Sequence, residues 1–417
     1  MKTRCSRLTV ALLVISLAGL ACAAPKTTVT IATYSQPRYE ILRDSLIPKW
    51  QAAHKDIDIQ IVNYPDFWNK LLVLMSTDQA PDIVDTAGTY VFGHVIRGGA
   101  VNLAPLLEKD RALSKDSFWP GPWNEVRWPQ PDGQGIYGLP WDTVGVVLWY
   151  NNELLRNAGV NAPTSSWTWF DLRAAAKKIA RDIDGDGQND LWGVGAASNH
   201  ELFDPLVKSF GGMILNPDRK SAGIDSPQAI QATQFLTDMI QEDRSALIGA
   251  SLVGGNVGFH ITGTYAIQHV GRVEGLDWGV APMPKGPVAH NTYGGSNMFE
   301  VMYRPGQDLQ AVWTILKLLL TQETIEAFWT SYQAPYSIPS VRSVAARTKM
   351  NDIQQILAQS VGFMSDADWS PDWAIWQAAK RSGIDPVLRG ERSAAEGVMR
   401  AAQEINKVLN QAYGTSK

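Results

Sequence analysis

Residues 182–193 read DIDGDGQNDLWG, and the carboxylates in this run could hold a hard cation. Asp182, Asp184, Asp186 and Asp190 fall at positions 1, 3, 5 and 9 of a calcium loop, with Gln188 between the last two. Gly187 stands at position 6, where the sharp turn of such a loop needs glycine. Position 12, which should carry a bidentate glutamate, is Gly193. The next segment, LWGVGAA, has the apolar pattern of a strand, whereas an EF-hand needs a second helix there. The same residues also read as a tight Asp/Gly turn whose side chains cap their own backbone. Other chemistry is sparsely marked. There is no G-x-S-x-G elbow, no H-E-x-x-H among the six histidines, and no G-x-x-x-x-G-K-[ST] phosphate loop. A glycoside hydrolase or lyase would need two carboxylates about 5–9 Å apart, a spacing that sequence distance does not fix.

The elements around the loop alternate. TTVTIATYS reads as a strand, residues 40–53 have helical apolar spacing, DIDIQIVNYP reads as a second strand, 68–75 as a helix and PDIVDT as a third strand. This order implies parallel pairing with crossover helices, and ligands of such sheets sit beyond the carboxyl ends of strands. That places Tyr34, Ser35 and Gln36 after the first strand, and Asp85 and Thr86 at the end of the third, as candidates. Further along, residues 144–150 form an apolar β-rich run. TWFDLRAAAKKIA starts a helix with Thr168 as N-cap and Asp171 closing a capping box, and DSPQAIQATQFLTDMIQ starts another with Ser226 as N-cap and Pro227 in the first turn. Residues 393–412 form an amphipathic terminal helix.

The chain has 417 residues, which favours two lobes over one core. Formal net charge is -4, with no basic stripe for nucleic acid. Tryptophan, at 16, outnumbers Phe (11) and Tyr (12), so part of it should line a ligand cleft, where flat faces and an N–H donor are useful. Lys2, Arg4 and Arg7 precede the apolar run 8–21, which is too short to span a bilayer and reads as an export signal. It is followed either by an A-x-A cleavage site before Ala24 or by a lipidated Cys22. The only cysteines are Cys5 and Cys22, so the exported part must be held by packing alone. Trp68, Trp128 and Trp149 are assigned to packing.

Taken in order, PDIVDT, GLPWDTVGVVLWYNNELLRNAG, TWFDLRAAAKKI, ITGTYAIQ, WGVAPMPKGP with YGGSN, IPSVRSV and the helix after LRGERS resemble the extracellular solute-binding proteins of sugar ABC importers, the family that includes maltose-binding protein. The resemblance covers nearly all of the chain beyond the export signal. It implies an α/β, two-lobed periplasmic-binding-protein fold (class II-like), each lobe a mainly parallel sheet flanked by helices, with a ligand cleft between the lobes. The lobes would be residues 24–141 plus 295–333 and residues 142–294 plus 334–417, with hinges near 143–145, 294–295 and 333–335.

The resemblance also implies a site. Tyr265 stands where the family often supplies a stacking Trp, and Trp373 in PDWAIW matches another cleft aromatic. Trp141 and Asp142 lie at the first crossing, and Gly295, Ser296 and Asn297 at the second. Asn199 and Phe203 begin a helix that often faces ligand, and Arg342 follows the last crossing. The Asp loop would be a decoration away from the cleft, with calcium as its only candidate cofactor. The implied function is a sugar-binding protein, monomeric, that delivers its ligand to permease subunits and, through them, to a separate ATPase. A secreted carbohydrate-active enzyme, or a binder of glycerol phosphate or polyamine, remains the alternative.

Overall fold

The computed structural model describes residues 26–128, 133–330, 335–365 and 368–414, so Cys22 and Gln333 lie outside the described residues. Its strands are β1 (Thr27–Thr33), β2 (Ile57–Val62), β3 (Ile83–Ala87), β4 (Arg127–Trp128), β5 (Gly135–Ile136), β6 (Leu139–Asn151), β7 (Trp192–Ala196), β8 (Ala246–Ile248), β9 (Val257–Gly263), β10 (Trp278–Ala281), β11 (Thr292–Val301), β12 (Ile338–Pro339) and β13 (Met364–Ser365). β2, β1 and β3 pair in parallel, joined by helices, as their alternation implies. At the other end β9, β7 and β8 are likewise parallel.

Between these two parallel sets run the long strands β6 and β11. The first half of β6 pairs antiparallel with β11, which continues to β3. The second half of β6 leaves β11 and pairs with β9 and β10. The change of partner falls where Gly145 sits opposite Gly294 and Val144 opposite Gly295. One strand thus joins the two halves of the sheet, and the two largest cores form on these halves. Val29, Ile31, Ile83, Phe299, Trp313 and Phe328 belong to the first, and Val146, Leu148, Val194, Phe259, Trp376 and Ile405 to the second. The fold is two-lobed α/β.

Local sequence explains the helix starts around these cores. Thr168 accepts from Asp171 N–H while the Asp171 carboxylate takes Thr168 N–H, completing the capping box. Ser226 accepts from Ala229 N–H, with Pro227 at the first helical turn of Pro227–Gln241. Asn151 ends β6 and caps the next helix by accepting from Glu153 and Leu154 N–H. Helical structure after β1 starts earlier than residue 40. Ser35 caps a helix at Gln36–Ile41 with Pro37 in its first turn, and a π-helical stretch Leu42–Leu46 joins it to Ile47–Ala53.

Candidate functional site

A cavity of about 260 Å³ opens where helices of the two lobes face each other. Helix Phe67–Met75 contributes Trp68 and Asn69, helix Gly88–Ile96 contributes Thr89, Tyr90 and His94, and Asp372 and Trp373 come from the start of helix Trp373–Leu388. Helix Gly88–Ile96 begins directly after β3, so the strand end aims its first turn at the cavity. Residues 89, 93 and 97, and 90 and 94, recur every fourth position and share one helix face. Trp68 and Tyr90 stack with ring centroids 3.9 Å apart and planes 13° apart, and Tyr34 lies 5.3 Å from Trp68. Trp68 is therefore part of the cavity wall, not of packing alone.

The opposite wall is Trp373, backed by a second aromatic group. His200 meets Tyr293 and Trp373 edge-on at 4.8 and 4.9 Å, and Trp369 lies 5.6 Å from Tyr293 and 5.4 Å from Trp373. Tyr293 and Trp373 each pack against both cores. Burial pushes His200 down to about 4, so its ring is neutral near pH 7. Among the described residues the indole Nε1 atoms of Trp369 and Trp373, and Ser296 Oγ, are buried with no hydrogen-bond partner. Such donors are the exception in folded proteins. Arg97 of the first lobe meets Asp372 of the second at 2.6 Å, so the two charges neutralise each other at the rim of the cavity.

Beneath the cavity lies a polar network. Asp85, 1 % exposed, accepts from Arg38 Nε at 2.7 Å, Thr33 Oγ1 at 2.7 Å and Trp141 Nε1 at 3.4 Å. Asp142 accepts from Asn297 N–H and Nδ2, and Tyr34 O–H donates to Asn297 Oδ1 at 3.0 Å. Burial pushes Asp142 up to about 6, against the pull of Arg38 and its hydrogen bonds. Ser296 N–H donates to Glu125 at 2.9 Å. The network fixes the strand ends that carry the walls, and Thr86 is buried within it.

The candidates read from the sequence divide accordingly. Tyr34, Ser296, Asn297 and Trp373 stand at or directly under the walls. Gly295 presents its backbone there, since a Cβ on it would meet Tyr293 O–H at 2.8 Å and Trp369 at 3.1 Å. Ser35 is spent as an N-cap, and Gln36 bonds Glu40 and Asn63 at the surface. Trp141 is a correction: its ring is buried in the first core between Phe299 and Phe328. Phe203 is another, fully buried in the second core, because the helix it opens turns that face inward. Arg342 lies over Trp119 and belongs to a separate surface depression with Asp116 and Ser117. Asn199 accepts from Leu202 N–H and shapes the turn that holds His200 and Glu201. Tyr265 is 41 % exposed, and its O–H donates to Glu201.

Sequence reasoning missed Thr89, Tyr90, His94, Arg97, His200, Glu201, Tyr293, Trp369 and Asp372. Asp372, His200, Glu201 and Tyr293 were one or two positions from the candidates Trp373, Asn199 and Gly295. The rest carry no local signature, because helix and strand packing brings them together.

The Asp loop runs from helix Trp169–Ile179 into β7, as read. Asp182, Asp184 and Asp190 bring carboxylate oxygens within 4.8 Å of one another, the donor chemistry a calcium ion would use. Asp186 and Gln188 fall outside that group: Asp186 accepts from Gln188 N–H, a self-capping turn. Asp182 accepts from Gly185 and Gly187 N–H, which holds its carboxyl below the usual range. Gly185 and Gly187 have φ of 81° and 87°, which only glycine adopts at low cost. The loop sits at the amino end of β7, and the His200–Glu201 turn follows its carboxyl end, about 16 Å away along five residues.

The profile of the bacterial extracellular solute-binding proteins matches residues 33–324. A putative binding protein of Brucella abortus is 27% identical over 207 residues, 46% of this chain and 48% of that one. The arabinooligosaccharide-binding protein of Bacillus subtilis is 27% identical over 210 residues, 47% of this chain and 44% of that one. The match thus spans less than half the length of these relatives. Among solved structures, an ABC substrate-binding protein from Listeria monocytogenes in complex with cycloalternan has a TM-score of 0.75 at 20% identity, covering 92% of this chain and 99% of that one. The sugar-binding protein MalE of Xanthomonas citri has a TM-score of 0.76 at 18% identity, covering 93% and 98%. At these identities the likeness establishes the fold.

Proposed function

The chain belongs to the bacterial extracellular solute-binding proteins, and from that premise we propose that its cleft binds a neutral sugar or oligosaccharide. The observation that carries this reading is that aromatic rings line the cavity from both sides, Trp68 stacked with Tyr90 on one lobe and Trp373 on the other. A sugar ring has apolar C–H faces that aromatic planes cover, and hydroxyls that need hydrogen-bonding partners. Asn69, Thr89 and Tyr90 carry such partners in the cavity lining, and a hydroxyl that leaves a buried polar group unmet costs about 1–3 kcal/mol. Arg97, the Lys or Arg among the lining residues, is already neutralised by Asp372, so neither a phosphate ester nor a polyamine finds a spare counter-charge there.

The lobes close about the β6–β11 crossing, where Gly145 faces Gly294. The ligand shifts the population toward the closed form because only that form offers both walls. The protein works outside the cytoplasm, tethered at Cys22 if that residue is lipidated. It acts as a monomer that hands its ligand unchanged to importer permease subunits served by a separate ATPase. Calcium at Asp182, Asp184 and Asp190 would brace the second lobe and leave the cleft untouched. Calorimetric titration decides it, since heat at millimolar ion establishes the site and none removes it.

A thermal-shift screen over mono- and oligosaccharides, with glycerol phosphate and a polyamine alongside, tests the main reading. A neutral sugar at 100 times its Kd should stabilise the protein by about 2.7 kcal/mol. A shift with glycerol phosphate and none with sugars refutes it. New reducing ends on incubation with oligosaccharides would make the protein an enzyme instead.

A further inference from the structure

We propose that Glu201, Gly263 and Tyr265 form a built platform in the second lobe, with Glu201 as the positioning residue that holds the Tyr265 ring for stacking on the sugar. The inference rests on the reading of the cleft as a sugar site. Three observations meet at this ring. Its hydroxyl donates to the Glu201 carboxylate, which is 6 % exposed and also accepts from Thr262 Oγ1 at 3.0 Å and Gly263 N–H at 3.2 Å. The ring lies over Gly263, where a Cβ would fall 2.1 Å from Tyr265 Cε1 and 2.6 Å from Cδ1. The residue as a whole stays 41 % exposed.

One side of the ring is thus seated on backbone that lacks a side chain, its far end is tied to a buried carboxylate, and exposed surface is left for a ligand. Glu201 belongs to the same turn as His200, which packs on Trp373, so the platform and the second-lobe wall share one turn. A tyrosine without the anchor would have to be immobilised at the moment of binding, which costs affinity. The anchor makes that ordering part of the folded protein. Burial and the Glu201 charge push the Tyr265 hydroxyl well above its ordinary range, so near neutral pH it remains the donor to Glu201.

The test measures affinity for the tightest sugar found in the screen, by calorimetry on the full folded chain. Tyr265→Phe keeps the ring and removes the anchor, and should weaken binding about threefold to tenfold, the cost of freezing one side chain. Glu201→Ala should weaken it by the same factor, and Glu201→Gln, which keeps an oxygen for the hydroxyl, should restore most of it. In the Tyr265→Phe background Glu201→Ala should cost nothing further, because its effect passes through the hydroxyl. Gly263→Ala should displace the ring and weaken binding even where Glu201→Ala fails to fold. Wild-type affinity in Tyr265→Phe, or additive losses in the double variant, overturns the proposal. If Trp373→Ala loses affinity while Tyr265→Phe does not, the platform fails and the cleft reading stands. If the parent binds no sugar, both fall.

Discussion

Trp373→Ala tests the cleft most directly. An indole buries roughly 150–250 Å² when fully covered, and a sugar on one face removes about 100 Å² of apolar surface from water. At about 25 cal/mol per Å² this is about 2.5 kcal/mol, or roughly 70-fold in Kd. The same substitution removes a side chain that packs on both cores, so the unliganded protein should lose about 2 kcal/mol of stability. The two effects separate when calorimetric titration is run at 25 °C, far below melting, with circular dichroism confirming the native fold. Trp373→Phe should fall between parent and alanine variant, because it keeps a smaller apolar face. A folded alanine variant that binds the same sugar within twofold of the parent would refute the reasoning, since the wall would then be structural only.

Three further outcomes follow from buried groups. His260 is held down at about 4 by burial, whereas an unfolded histidine titrates near 6.5. Between these values the unfolded chain binds more protons, so stability falls as pH drops through this window. Between pH 7 and pH 5 the parent should lose about 2 kcal/mol more than His260→Gln in denaturant titrations, and parallel curves would exclude the effect. Lys380 and Asp204 form a buried ion pair in the second lobe, with Gln377 donating to Asp204 at 3.1 Å. Lys380→Met strands the carboxylate and should cost about 3–5 kcal/mol, while adding Asp204→Leu should recover most of it, as measured by urea midpoints. A Cβ on Gly193 would stand 2.3 Å from Ala176 Cα, so Gly193→Ala should destabilise by about 3 kcal/mol, visible as a lowered melting point with sugar affinity at 25 °C unchanged.

Local grammar carried much of the fold. The capping box at Thr168, the N-cap at Ser226 and the strand readings of TTVTIATYS, DIDIQIVNYP and PDIVDT rest on side chains close in sequence, and the strands Thr27–Thr33, Ile57–Val62 and Ile83–Ala87 fall on those runs. The Asp loop emerged between helix and strand for the same reason, with glycine at its two positive-φ positions. The site was less legible. Trp68 and Phe203 show why: helical spacing marks an apolar face but not what covers it. Trp68 faces a cavity and Phe203 a core, and nothing in their neighbours distinguishes them. Trp141 misled in the same way, because a Trp beside a crossing strand can point to either side of the sheet.

By itself the sequence determined the alternation of strands and helices, the places where helices start, and the order of segments that marks the family. Those features depend on short-range hydrogen bonds and on apolar periodicity along the chain. Only the tertiary structure decided which aromatics form the walls and that Arg97 and Asp372 neutralise each other, and it alone tied Glu201 to Tyr265 across 64 positions. Each of these joins groups from elements far apart in the chain, and the energy of such a meeting depends on distance, burial and orientation, which no local pattern encodes.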